Sequence, residues 1–419
     1  MDLSKPNRPV GSAPDPRSRR VALIAVTVAA LGYLVDIYDL ILFAVVRKSS
    51  LTAIGVPEGE LLEKGMHLLD MQNMGMLIGG VLWGVLGDKR GRLSVLFGSI
   101  VLYSLANIAN GMVSTVEQYA WLRLIAGIGL AGELGAGITL VSELVEPRYR
   151  GIATTIVAGV GVCGALLAVL VSKLVDWRTA YYIGGALGLM LLGLRVGVVE
   201  SGLFGRMRQS SHSRGNFFAL FATKERALRY VCIVLSATPI WFIIGVLVAF
   251  SPEIATAMGV TPAPDPGYAI AVGYSGLALG DIAAGLLSQK LQSRRRALAI
   301  FIGLSAVTVG LYFALGRLGI GWMYACMFMT GIGGGYWAVF VTSAAEQFGT
   351  NLRATATTTA PNFVRGSIVL INASVVALKA SVGIVSAAAI VGSVVILIAF
   401  VSLRGIQETF GKDLDFVEE

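Results

Sequence analysis

Charge is scarce in this 419-residue chain. Asp, Glu, Lys and Arg together make up 14%, where a soluble domain carries about 25%. That shortage excludes an ordinary soluble domain, and the 55% of AVILMFWYC residues and mean hydropathy of +0.76 agree. Histidine is nearly absent, with only His67 and His212. Zinc and di-iron membrane enzymes need several imidazoles, so most of them are excluded. The three cysteines, Cys163, Cys232 and Cys326, lie far apart in apolar runs, which gives no disulfide framework and reads as packing. There is no Walker Gly-Lys-Ser/Thr loop and no soluble domain to carry one, so ATP is not the direct energy source. No nucleophile and base can be placed together, which leaves an enzyme with the least support.

What fills the chain is apolar sequence of membrane-crossing length, together with 52 glycines. Glycine is frequent in membrane helices because it lets neighbouring backbones approach. A crossing takes about 20 apolar residues, and twelve such stretches are present. They run roughly over 21–46, 66–87, 93–112, 118–143, 152–174, 179–199, 230–250, 267–289, 297–315, 321–345, 355–378 and 382–403. Both termini then lie on one side. That side carries 23 Lys and Arg residues and the opposite loops carry 7, so the positive-inside rule places both termini in the cytoplasm. Arg123, Arg195 and Arg365 fall inside spans. The net charge of +8 is therefore a topology signal, and no nucleic-acid partner is expected.

Residues 1–20 read as a cytoplasmic tail, 21–199 as a first six-helix bundle, 200–229 as a basic linker, 230–403 as a second bundle and 404–419 as a cytoplasmic tail. The halves repeat weakly. Gly127-Ile128-Gly129 recurs as Gly331-Ile332-Gly333, Glu143 and Arg150 recur as Glu346 and Arg353, and the loop 84–92 has a degraded counterpart at 285–296. Three matches at nearly one offset indicate a duplicated membrane protein with a binding site between its halves near mid-membrane.

The loop after span 2 reads Gly84-Val85-Leu86-Gly87-Asp88-Lys89-Arg90-Gly91-Arg92. It resembles the signature loop of the major facilitator superfamily, G-x-L-x-D-[RK]-x-G-R-[RK], departing only at Leu93. The resemblance implies an all-α membrane protein with twelve transmembrane helices in two pseudo-symmetric six-helix bundles, working by alternating access. It also implies that Gly84, Asp88 and Arg92 belong to a cytoplasmic gate, with Glu143, Arg150, Glu346 and Arg353 as further gate pairs.

Span 1 contains Asp36-Ile37-Tyr38-Asp39-Leu40, with two carboxylates at i and i+3 on one helix face. A charge near the middle of a span is costly and usually functional. The stretch resembles the D-G-Y-D-L motif of the aromatic-acid and metabolite:proton symporter branch, with Ile37 in place of Gly. That resemblance implies substrate binding or proton coupling for Asp36 and Asp39, and the alternative is an acid that merely pairs with an arginine. In span 4, Arg123, Gly127, Gly129, Gly132, Glu133, Glu143, Pro147, Arg150 and Gly151 resemble a pattern of organic-ion, sugar and metabolite porters. Glu133 is read either as a coupling acid or as the ion-pair partner of Arg123.

The second half contributes Asp281 with Tyr274 on one face of span 8, and Asn362 with Arg365 one turn apart on span 11. A guanidinium is a natural bidentate partner for a carboxylate ligand, although Asp281 is an alternative partner for it. Trp241, Tyr336 and Trp337 are candidates for flat apolar walls. Asp36, Asp39, Glu133 and Asp281 outnumber Arg123 and Arg365, and a spare buried acid suits a proton carrier.

The expectation is therefore proton-coupled symport of a small organic anion, with Asp36, Asp39 and Glu133 as proton-coupling candidates. Arg365, Asn362, Asp281, Tyr274, Trp241, Tyr336, Trp337 and Arg123 are the substrate-binding candidates. No cofactor beyond the proton gradient and no metal are expected, and the setting is a lipid bilayer with the protein as a monomer, in a bacterial inner membrane. The rival reading uses the acids to bind an organic cation or drug in exchange for protons.

Overall fold

The computed structural model of the chain describes residues 16–90, 92–133, 150–200, 217–412 and 418. The first half comprises α1 (Pro16–Ala53), α2 (Leu61–Arg90), α3 (Arg92–Asn110), α4 (Val116–Leu130), α5 (Arg150–Leu174) and α6 (Trp177–Glu200). The second comprises α7 (Lys224–Ser236), α8 (Thr238–Phe242), a π-turn at Ile243–Val248, α9 (Ser251–Ala257), α10 (Pro266–Leu291), α11 (Arg294–Leu315), α12 (Ile320–Gly334), α13 (Trp337–Glu346) and α14 (Thr350–Ser402). Among the described residues seven helical segments are long and apolar enough to cross a membrane, with shorter apolar helices at Phe97–Asn110 and Gly159–Leu174.

Starts are set by local chemistry. The Thr115 and Thr223 side chains accept the backbone N–H groups of Gln118 and Arg226 at the heads of α4 and α7, and Asp265 accepts Tyr268 N–H at the head of α10, where Pro266 takes the first position. Before α6, Asp176 accepts the Thr179 hydroxyl and the backbone N–H groups of Thr179 and Arg178, which holds its carboxyl below the usual carboxylate range. Side chains such as Leu279, Leu286 and Leu370 are exposed, as suits surfaces facing lipid tails rather than water.

The duplication has a physical basis in helix crossings. Gly127 of α4 lies against the Gln72 carbonyl of α2, and Gly331 of α12 lies against the Gly273 carbonyl of α10. A Cβ at either place would collide with backbone that cannot move aside, so the repeated glycine is what allows each pair to pack closely.

Several boundaries differ from those read in the sequence. Helix α1 begins at Pro16, inside the segment expected as a tail. The expected linker ends early, because a 3-10 turn at Phe217–Phe221 precedes α7 and the Phe217 ring stacks on Phe363 at 5.7 Å. Spans 11 and 12 are two helices within α14 that meet at Gly383, whose φ of 78° belongs to the left-handed region that favours glycine. Span 7 is broken into α7, α8 and the π-turn, and span 10 is broken between α12 and α13.

Candidate functional site

Those two breaks frame a partly open pocket between the halves, with about 470 Å³ of space including what opens to solvent. From the first half, Tyr33, Ile37 and Leu40 of α1 and Val162 of α5 line it. From the second come Ile240, Trp241 and Ile244, Tyr274, Leu277 and Asp281 of α10, Trp337 of α13 and Arg365 of α14. Irregular backbone at membrane depth is tolerated where it lines such a cavity, and π-turns of this kind frequent functional sites.

Arg365 is 3% exposed. Its guanidinium carbon sits 5.8 Å from the centre of the Trp241 ring and 5.5 Å from that of Trp337. The Tyr33 hydroxyl lies beside it. Among the described residues no carboxylate lies within ion-pair distance of Arg365, and its Nε has no hydrogen-bond partner. Asp281, the expected alternative partner, is engaged elsewhere. Its Oδ1 accepts the Ala338 backbone N–H at 3.0 Å, so it satisfies the exposed head of α13 at the break, where the helix dipole favours a negative group. The reading of Asp281 as a substrate ligand is thereby revised towards a helix cap that also lines the cavity.

Three other expected ligands sit away from the cavity. Tyr336 is fully buried, its hydroxyl donates to the Ser236 carbonyl at 2.9 Å, and its ring packs against Phe301 of α11. Asn362 donates to the Ala131 and Thr358 carbonyls at 3.0 and 2.9 Å, tying α14 to the end of α4. Arg123 is held by Gln72 and by the rings of Phe43 and Tyr181, 5.0 and 5.9 Å away, deep in the first half. Trp241, Tyr274, Trp337 and Arg365 are the candidates that the structure brings together.

The proton-coupling candidates cluster in the first half. Asp36 and Asp39 are buried, and Asp36 Oδ1 and both Asp39 oxygens lack a hydrogen-bond partner among the described residues. Asp39 faces Arg123 and Asn107. Glu133, in the turn after α4, is ion-paired to Arg195 of α6 and not to Arg123. The sequence reading gave Arg195 no role, although a charge in a span is itself a signal; Tyr33, three residues before Asp36 on the same face, was also missed.

Of the gate candidates, Gly84 of α2 faces Thr359 of α14. The side chains of Asp88, Arg92 and Arg150, and all of Glu143, lie outside the described residues. Glu346 is bound by Arg294 at 3.1 Å and by the Thr409 hydroxyl at 2.8 Å, while Arg353 Nε donates to the Ala345 carbonyl at 3.1 Å. Arg294 and Glu346 stand about two hundred residues after Arg92 and Glu143, so the duplicated loop and the duplicated acid meet in the second half. At the face opposite the termini, Arg47 of α1 binds Glu253 of α9 at 2.7 Å and Asn372 binds Asp70 at 2.7 Å, closing the halves over the cavity.

The Major Facilitator Superfamily model matches residues 66–371. The chain belongs to that superfamily. Its fold is shared with the solved proton:xylose symporter XylE, with a TM-score of 0.71 at 19% identity over 95% of this chain and 98% of that one. The superfamily and that fold are those of membrane transporters, not of enzymes. Among curated proteins, the 3-(3-hydroxy-phenyl)propionate transporter of Escherichia coli is 29% identical over 57% of this chain and 59% of its own length. The "Probable 4-methylmuconolactone transporter" of Cupriavidus pinatubonensis is 28% identical over 46% of each chain. The chain thus spans about half the length of these curated relatives.

Proposed function

We propose that this superfamily member is a proton-coupled symporter of a small organic anion, a carboxylate carrying a flat apolar body, across a bacterial cytoplasmic membrane. The observation that carries the reading is Arg365, a buried cation without an ion-pair partner among the described residues, aimed at a cavity walled by two indoles. A cation held out of water demands an anionic partner, and a bidentate carboxylate fits a guanidinium fork. The indole faces suit an aromatic or alicyclic body. The name of the 3-(3-hydroxy-phenyl)propionate transporter supports the same class.

Three acids in the first half supply the proton side. In this reading the substrate carboxylate neutralises Arg365 while a proton neutralises Asp36. Both termini are cytoplasmic and the monomer is the working unit. The test is luminal pH in proteoliposomes loaded with a pH-sensitive dye and challenged, without an imposed gradient, with aromatic and aliphatic carboxylates, sugars and organic cations. Acidification driven by carboxylates is expected. Alkalinisation driven by cations overturns the reading and turns Asp281 and the first-half acids into ligands of a cation in a proton antiporter.

A further inference from the structure

The end of α4 is held by two groups from outside it. The Trp83 indole of α2 donates to the Ile128 carbonyl. The Asn362 carboxamide of α14, in the other half, donates to the Ala131 carbonyl at 3.0 Å. The last carbonyls of a helix have no partner within it, so both bonds satisfy groups the helix itself leaves open. Asn362 is 1% exposed, and its Nδ2 also donates to the Thr358 carbonyl at 2.9 Å. Two carbonyls around that nitrogen fix the carboxamide in one orientation, because its oxygen could only be repelled there. The oxygen is left buried without a partner among the described residues. On its other flank Asn362 lies against Gly80 of α2, where an added Cβ would collide with it.

The bond joins the surroundings of two sites. On α14, Pro361 removes a backbone donor and weakens the helix beside Asn362, and Arg365 stands one turn further on the same face. After α4, Glu133 follows Ala131 by two residues, and Gly132 between them packs against Ser99 and Trp83, which leaves the turn little slack. Glu133 is ion-paired to Arg195, and both headgroups press on Gly32 of α1, one turn before Asp36. Asn362 lies between Arg365 and the start of α14 at Thr350.

We infer that Asn362 is a positioning residue that couples the two halves: its bond to Ala131 ties the helix that holds the substrate carboxylate to the turn that holds Glu133. The inference rests on the symport reading. Opening the pocket towards the start of α14 parts that helix from the end of α4 and breaks the bond, so the bond has a made and a broken state, as a coupling element requires. While it is made, a shift of α14 at Arg365 reaches Glu133 and, through Gly32, the stretch of α1 beside Asp36. Both ligands then bias one equilibrium, which is what coupling between sites means. Without the bond each half answers to its own ligand, and the carboxylate crosses without its proton.

The experiment counts protons moved per carboxylate in proteoliposomes, reading a luminal pH dye and labelled substrate together, with labelled exchange measured in parallel. The probe is the carboxylate that acidifies wild-type vesicles fastest, with 3-(3-hydroxyphenyl)propionate tried first. Asn362→Leu keeps the shape of the side chain and removes its donors. Exchange is expected to persist in it while protons per carboxylate fall severalfold, since one hydrogen bond is worth up to about tenfold in the balance of two states. Gly80→Ala displaces the carboxamide from the α2 side without changing its chemistry, and lowers the ratio in the same direction. A wild-type ratio in both variants overturns the inference. So does a parallel loss of exchange and acidification in both, which marks the bond as packing only. Absence of proton movement in the wild-type vesicles refutes the symport reading itself, before any variant is compared.

Discussion

The two halves share an architecture and differ in what they bury. Each crosses its second and fourth membrane segments on a glycine, Gly127 in one and Gly331 in the other, packed against a carbonyl. The first half then buries Asp36, Asp39 and Glu133 with Arg123 and Arg195, behind the wall residues Tyr33, Ile37 and Leu40 of α1. The second buries Arg365 between Trp241 and Trp337 on the wall itself, and uses its one acid there, Asp281, to cap a broken helix. Duplication supplied one scaffold twice, and under the proposed symport the polar residues divide the work: acids for a proton on one side, a cation and rings for an anion on the other. The charge census follows suit. With Arg195 included, Asp36, Asp39, Glu133 and Asp281 face Arg123, Arg195 and Arg365, one acid in excess before any substrate is bound.

Removing the cation tests the division most severely. Arg365→Ala is expected to reduce carboxylate uptake and exchange alike by about 100-fold or more, since losing one partner of a buried charge pair costs about 2–5 kcal/mol. Arg365→Lys keeps the charge but not the fork and recovers only part. Radiolabelled exchange reads both, and full exchange in Arg365→Ala breaks the comparison. On the other side, Asp36→Asn is expected to abolish accumulation while leaving exchange, and unchanged proton-driven uptake in that variant removes Asp36 from the scheme.

Smaller effects sharpen the picture. Trp337→Leu removes one ring from over Arg365 and from the ligand, so the apparent affinity for an aromatic carboxylate is expected to fall about three- to tenfold, the scale of about 1 kcal/mol for an aromatic or cation–π contact. An aliphatic carboxylate of similar size is expected to lose less. A drop that is equal for both makes the indole a structural wall only.

The smallest effect concerns the segment after α14. Glu408 is exposed; partial desolvation opposes its charge, yet the Ser293 hydroxyl and the backbone N–H groups of Arg294, Phe410 and Thr409 hold it below its ordinary value. A depressed carboxyl contributes stability above its unfolded value, near pH 4.3, and that contribution is lost as the pH falls through the folded one. Hydrogen exchange at residues 403–412 is therefore expected to be protected at pH 7 and to loosen below about pH 4. Equal protection at both values refutes the docking role of Glu408.

Much of this was legible in the sequence. Span-length apolar runs, the loop from Gly84 to Arg92 and the repeat offset suffice for the fold, because the bilayer leaves the backbone few choices. Arg365, Trp241, Tyr274 and Trp337 were legible as candidates that share one pocket, being polar or flat side chains placed where lipid gives them no use. Partnerships were not legible. Whether Glu133 meets Arg123 or Arg195 depends on how three helices rotate against one another, and hydropathy carries no rotation. The role of Asp281 depended on a helix break between Gly335 and Trp337 that glycine content alone does not distinguish from close packing. Tyr336 shows the same limit from the other direction, since of two adjacent aromatic residues only Trp337 lines the pocket.

The central claim is that the proton and the carboxylate are handled by different halves of one carrier. Its most direct test is the parallel measurement of luminal acidification and labelled carboxylate exchange in vesicles carrying Asp36→Asn or Arg365→Ala. The account predicts that Asp36→Asn exchanges the carboxylate without acidification and that Arg365→Ala does neither. Equal loss of both readouts in Asp36→Asn, or acidification persisting in it, contradicts the division of labour between the halves.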